Sequence, residues 1–252
     1  MRIAGIDPSM KGTGMVIMDL DEKLEVSSIL FRAFTTIEMY AIEHDNVKIY
    51  HVAPATKYLA MSMPQRMSLA FPIIMREMEG VEYVGMEDYA YSKAKSGSSS
   101  MIQVAEFCGG VRYELYKAGI GYLNYGICQI KRFATGKGSN DDNKMPMCLA
   151  FKARFPQYYP AESFSKLKEF ESPMADICDA FWMCEILHQH LRFEKYGPEG
   201  LDDTNRIFLT TSATKDGAPL VESPIIKMGV EYERRKRKVK RKKKADPEQV
   251  KT

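Results

Sequence analysis

Four carboxylates stand where a fold can gather them. Asp7 follows a short apolar and β-branched run, "RIAGI", and Glu87 ends another, "VEYVGM", with Asp88 beside it. Asp176 and Asp179 lie three apart at the start of a helical stretch, so their side chains share one face. Two strand-end acids and a helical pair, brought to one point, would bind hard divalent cations through oxygen ligands. Their mutual repulsion implies an ion at such a point. Each acid also has an ordinary role. Asp7 before Pro8 suits a turn, and Glu87-Asp88 a solvated strand end. Asp176 suits an N-cap and Asp179 a first turn favoured by the helix dipole. Singly these structural roles are the better account; together and in this order, the cation site is.

The elements that must position them follow from the pattern. Residues 2–6, 14–20 and 24–34 read as three successive strands, with the turn "PSMKGTG" after the first. Residues 38–53 are ambiguous, although 47–52 alternate like a strand. Apolar residues recur at helical spacing over 61–79, with Pro64 and Pro72 blurring the ends. Residues 81–87 form a buried strand, 101–118 a helix containing Gly109-Gly110, 121–125 a strand, and 143–155 and 176–191 helices. Three strands followed by alternating helix and strand predict an α/β fold: a mixed sheet with helices on its faces.

Charge is unevenly placed. Residues 234–244, "RRKRKVKRKKK", hold ten basic residues, starting with Arg234, Arg235, Lys236, Arg237 and Lys238. The formal net charge is +3 and residues 245–252 carry −1, which leaves −6 on residues 1–233. A mildly acidic body with a strongly basic arm points to polyanion contact, although such runs also serve as nuclear addresses. The segment 89–100 sets Tyr89, Tyr91, Lys93 and Lys95 in a Gly/Ser frame. That suits an opened or branched nucleic acid, and equally a plain connector.

The longest stretch free of Asp, Glu, Lys and Arg, residues 118–130, is too short to span a membrane. Asp7 interrupts the place where a signal peptide has its apolar core, so a soluble, cytoplasmic protein is expected. Five scattered cysteines without a CxxC pair argue against disulfides and zinc, and their apolar neighbours predict buried thiols. His188 and His190, two apart near a helix end, read as a solvated pair.

"IAGIDPSMKGTGMVIMD", "VGMEDYAY", "GVRYELY", "IKRFATGKG" and "MADICDAFWMCEI" together resemble the RuvC-type Holliday-junction resolvases of the RNase H-like superfamily. The similarity covers residues 1–191 and suits a viral or phage member, acting in the host cytoplasm. It implies an RNase H-like mixed sheet of three antiparallel strands followed by parallel ones, with helices on both faces. It also implies that Asp7, Glu87, Asp176 and Asp179 hold two Mg²⁺, with Mn²⁺ able to substitute. Lys131 and a second lysine, Lys144 or Lys137, would face the DNA phosphate; Lys93 and Lys95 would add charge, and Tyr89 or Tyr91 would stack on bases. Asp7 would bridge the ions, and a homodimer would nick two symmetric strands of a branched DNA. Residues 192–232 then form an extension of unassigned role, and 233–252 a basic tail. Three other readings share some of these features: another RNase H-fold nuclease, an actin-like-fold small-molecule kinase, and a non-catalytic DNA-binding protein. The kinase needs a second phosphate loop, which the sequence does not show.

Overall fold

The structure, a computed structural model, describes residues 1–9, 12–88, 99–137 and 144–201. Tyr89, Tyr91, Lys93, Lys95 and the run from Arg234 to Lys238 lie outside these residues.

Strands β1 (Arg2–Asp7), β2 (Gly12–Leu20) and β3 (Val26–Thr35) form an antiparallel meander. The short β4 (Ile42–His44) and β5 (Val47–His51) extend it beyond β3. Two helices follow, α1 (Ala55–Ala60) and α2 (Met63–Glu77), then β6 (Tyr83–Glu87), α3 (Ser99–Lys117) and β7 (Gly121–Tyr125). The chain continues through α4 (Ile127–Thr135), α5 (Met145–Arg154), α6 (Ala161–Phe164) and α7 (Met174–Tyr196). The sheet order is β4-β5-β3-β2-β1-β6-β7, with β6 parallel to β1 and β7 parallel to β6. This is an α/β, RNase H-like arrangement, as expected. The ambiguous 38–53 segment supplies the edge pair, and its β5 runs parallel to β3.

Alternation along the strands explains why helices cover both faces. Ile3, Val16, Met18, Phe31 and Ala33 point into one core with the residues of α5 and α7. Ala4, Ile6, Met15, Ile17 and Phe34 point into the other, with α2 and α3. Asp7 and Glu87 carry the parity of the first set. They also lie side by side, since Ile6 is registered with Met86. The pleat therefore presents both acids to α7.

Helix α7 rests directly on the strands because glycines leave room for its backbone. A Cβ at Gly5 would stand 2.0 Å from the Ala180 carbonyl oxygen, one at Gly14 2.0 Å from that of Asp176, and one at Gly85 2.5 Å from that of Met183. Three neighbouring strands thus share one seat, and it fixes the height of α7 over Asp7 and Glu87.

Several expectations need correction. Helix α7 begins at Met174, so Asp176 sits inside the first turn rather than at the N-cap, and Asp179 in the second. The helix also runs past residue 191 to Tyr196, and Leu201 is buried in the core, so the folded body extends beyond the boundary read from the motifs. His188 is buried and hydrogen-bonded, not solvated. Cys128 is exposed, whereas the other four thiols are buried. Gly110 lets α3 pack closely on α2, where a Cβ would meet the Phe71 ring at 2.6 Å. Among the described residues, no helix is long and apolar enough to cross a membrane.

Candidate active site

The seat of α7 brings three of the four acids onto one cation. Lys144 Nζ, just before α5, lies 2.7 Å from Asp179 Oδ2, 3.1 Å from Asp176 Oδ1 and 3.5 Å from Asp7 Oδ2. A cavity of about 180 Å³ beside this cluster is lined by Asp7, Glu87, Asp179, Lys131 and Lys144. Its apolar wall comes from Ile127, Ile130, Met147 and Met183. Lys131 reaches the cavity because α4 starts directly after β7 and lays that residue beside Glu87. Lys137 does not line the cavity. It is exposed beyond the end of α4, where its backbone N–H donates to the Thr135 hydroxyl. Of these two lysines, Lys144 is the one that stands among the acids.

Burial dominates the electrostatics. It pushes the Asp7 carboxyl well above the ordinary range; Lys144 opposes this, and Asp179, Asp176 and Glu87 reinforce it. Glu87 is raised to about 7, first by burial and then by Asp179, against Lys144 and Lys131. Asp179 is raised by burial, with the charge of Lys144 and its hydrogen bond opposing. Lys144 is half-buried, and its partial loss of solvent favours the neutral form, yet Asp7, Asp179 and Asp176 hold it firmly protonated. Several carboxylates share too little positive charge, the condition under which such groups bind cations.

The donor set, four carboxylates, matches a hard divalent ion such as Mg²⁺. Among the described residues, no group of three or more His, Cys, Asp or Glu side chains is arranged to hold a metal in this conformation. The point on which three carboxylates converge is taken by the Lys144 ammonium. The residues fit a metal in the chemistry of their donors, four carboxylates.

Two supporting residues escaped the sequence reading. Arg112 of α3 is buried; it donates from Nη2 to the Glu87 carbonyl oxygen at 2.8 Å and from Nε to Asn124 Oδ1 at 3.1 Å. It ties the end of β6, and with it Glu87, to β7. Ser172 donates its hydroxyl to Asp176 Oδ2. A buried arginine on a helix face hints at a partner, but a lone serine before a proline gives no such signal.

No protein-family model matches the sequence, and no curated protein does. Solved structures do. Thermus thermophilus RuvC, in complex with a Holliday junction substrate, is 16% identical with a TM-score of 0.46, covering 78% of this chain and 98% of that one. Fowlpox virus resolvase, in complex with Holliday junction DNA, is 13% identical with a TM-score of 0.42, covering 76% and 99%. The yeast mitochondrial Holliday junction resolvase Ydc2 is 13% identical with a TM-score of 0.47, covering 79% and 82%. The chain is similar to RuvC and to other Holliday junction resolvases, the group that its motifs resemble.

Proposed function

We propose that this chain is a metal-dependent, structure-selective endodeoxyribonuclease that cuts four-way (Holliday) or branched DNA by two-metal phosphodiester hydrolysis. The reading is supported by the convergence of Asp7, Asp176 and Asp179 on one cation, with Glu87 and Lys131 in the same cavity. Asp7, Glu87, Asp176 and Asp179 would hold two Mg²⁺, replaceable by Mn²⁺; bound ions would activate a water and stabilise the leaving 3′-oxygen.

The chain's own residues supply the rest. Lys131 and Lys144 offset the phosphate charge, without which a body of charge −6 would repel DNA. Lys144 releases its carboxylates and turns to the phosphate. The apolar wall of Ile127, Ile130, Met147 and Met183 limits the water around the reacting group. The basic run from Arg234 onward adds affinity for any phosphate backbone but no preference for shape. Two copies, each with one such site, match the two symmetric strands of a junction, so the working form is a homodimer.

Cleavage of a four-way junction, a linear duplex of the same sequence and an RNA–DNA hybrid, compared in Mg²⁺, tests this. The junction should be cut fastest, and EDTA should stop the reaction. Equal rates on junction and duplex would make the protein a general nuclease, and a preference for the hybrid would make it a hybrid-cutting enzyme. Binding without any cleavage would leave only a DNA-binding protein.

A further inference from the structure

We infer that Ser172 is a positioning residue for the acidic site and that Gly12 is the space it requires; the inference rests on the reading of that site as a cation site. Asp176 is only 5% exposed, and each of its oxygens has a partner among the described residues. Oδ1 accepts from Lys144 Nζ at 3.1 Å, and Oδ2 accepts from the Ser172 hydroxyl four residues earlier. The two partners differ in kind. Lys144 brings charge and would compete with an incoming cation. Ser172 brings none, so it fixes the carboxylate while leaving its negative charge available.

Asp176 needs such a tether because of where it stands. It lies in the first turn of α7, where free backbone N–H groups draw a carboxylate back toward the helix start. Holding Oδ2 on the serine keeps Oδ1 turned to the site. Hydrogen-bonding partners of this kind orient the ligands of metal sites, and their loss commonly weakens metal affinity about 10–100-fold.

Gly12 supplies the second observation, from a different part of the chain. A Cβ at this position would lie 2.8 Å from Ser172 Oγ, and 3.1 Å from both Asp176 Oδ2 and the Phe34 carbonyl oxygen. The backbone at Gly12 is outside the left-handed region, so glycine is not needed there for its conformation. It is needed for room. The tightest of these contacts, with the serine hydroxyl, is relieved by rotating that hydroxyl away, which breaks the bond in question.

The test is a titration of the full-length chain with Mn²⁺, without DNA, followed by calorimetry or by the spin signal of free Mn²⁺. Ser172→Ala and Gly12→Ala should each weaken binding about tenfold. The double variant should be little worse than either, because both act through one hydrogen bond. In cleavage assays the same loss should appear as a higher Mg²⁺ concentration at half-maximal rate. Mn²⁺ affinity unchanged in both single variants, or losses that simply add, would overturn the inference. Asp176→Asn separates the two levels of failure. If it binds Mn²⁺ weakly while Ser172→Ala binds normally, only the role of Ser172 falls; if it too binds normally, the cation-site reading falls with it.

Discussion

Helix α7 buries ionisable side chains in two places. Near its start, Asp176 and Asp179 join Asp7 and Glu87 around the ammonium of Lys144. Further along, Glu185, His188 and Gln189 are all less than 10% exposed and form a second polar cluster. In that cluster the Gln189 amide donates to Glu185 Oε1 at 2.7 Å, and His188 Nδ1 stands 3.2 Å from Glu185 Oε2. His188 Nε2 stands 2.7 Å from the Leu24 carbonyl oxygen, in the turn between β2 and β3. Both ring nitrogens face acceptors only, so the ring that satisfies them is an imidazolium. One carboxylate meets one cation, and both of its oxygens are hydrogen-bonded. At the site, four carboxylates face two lysines. A neutral, satisfied cluster pins a turn to a helix, whereas a surplus of buried negative charge binds something.

The sharpest way to break this comparison is to make the same kind of change, a carboxylate to its amide, in both places. Asp7→Asn should reduce Mg²⁺-dependent cleavage about a thousandfold or more, the equivalent of several kcal/mol of transition-state stabilisation. The metal-free protein should at the same time gain about 1 kcal/mol, as is common when a strained functional group is neutralised. Melts in EDTA beside single-turnover cleavage of a junction would show both. A variant that cuts at the wild-type rate would remove Asp7 from the site.

Glu185→Gln should do the reverse. It leaves the buried imidazolium without its carboxylate, a change that destabilises by about 3–5 kcal/mol in comparable buried pairs. For a body of this size the melting temperature should fall by roughly 10 °C. Cleavage per folded molecule should persist, since Glu185 does not line the cavity. Stability unchanged by this substitution would show that the cluster is not the clamp described here.

The same contrast shows what the sequence makes legible. The four acids stand at element ends or within one helical turn of each other, and their order follows the motifs that resemble the resolvases, so the sequence marks them as candidates. The mixed sheet follows from strand order. His188 misleads because its partner, the Leu24 carbonyl oxygen, lies 164 residues away in the chain. Two histidines two apart on a helix look solvated unless that turn is known to fold over one of them. Lys137 and Lys144 are both plausible by sequence, and only the start of α5 decides which of them reaches the acids. Ser172 and Arg112 act through long-range packing or a single hydroxyl, and no periodicity marks either.

The smallest effect is one of pH. Burial opposes charge on His188, but the Glu185 hydrogen bond and charge, helped by the Leu24 carbonyl, outweigh it and raise its pKa above the ordinary 6.5. A group raised in this way contributes stability that is complete below its unfolded pKa and lost as pH rises through the folded value. Arg192, one turn on, lowers the shift slightly; it is itself occupied by Glu25, at 2.6 Å. Glu87 complicates a simple melt, because its own rise from 4.5 to about 7 also removes stability as pH climbs. The two contributions separate in a difference. His188 lies nine residues beyond Asp179, about 13 Å along the helix, far enough for their effects to add. Subtracting the stability of His188→Gln from that of the wild type, pH by pH in EDTA, therefore cancels the site. The remainder should be largest near pH 6 and should shrink steadily toward pH 9. A difference that stays flat over that range would mean that His188 is buried neutral, and the contrast between a satisfied cluster and a charged one would lose its second member.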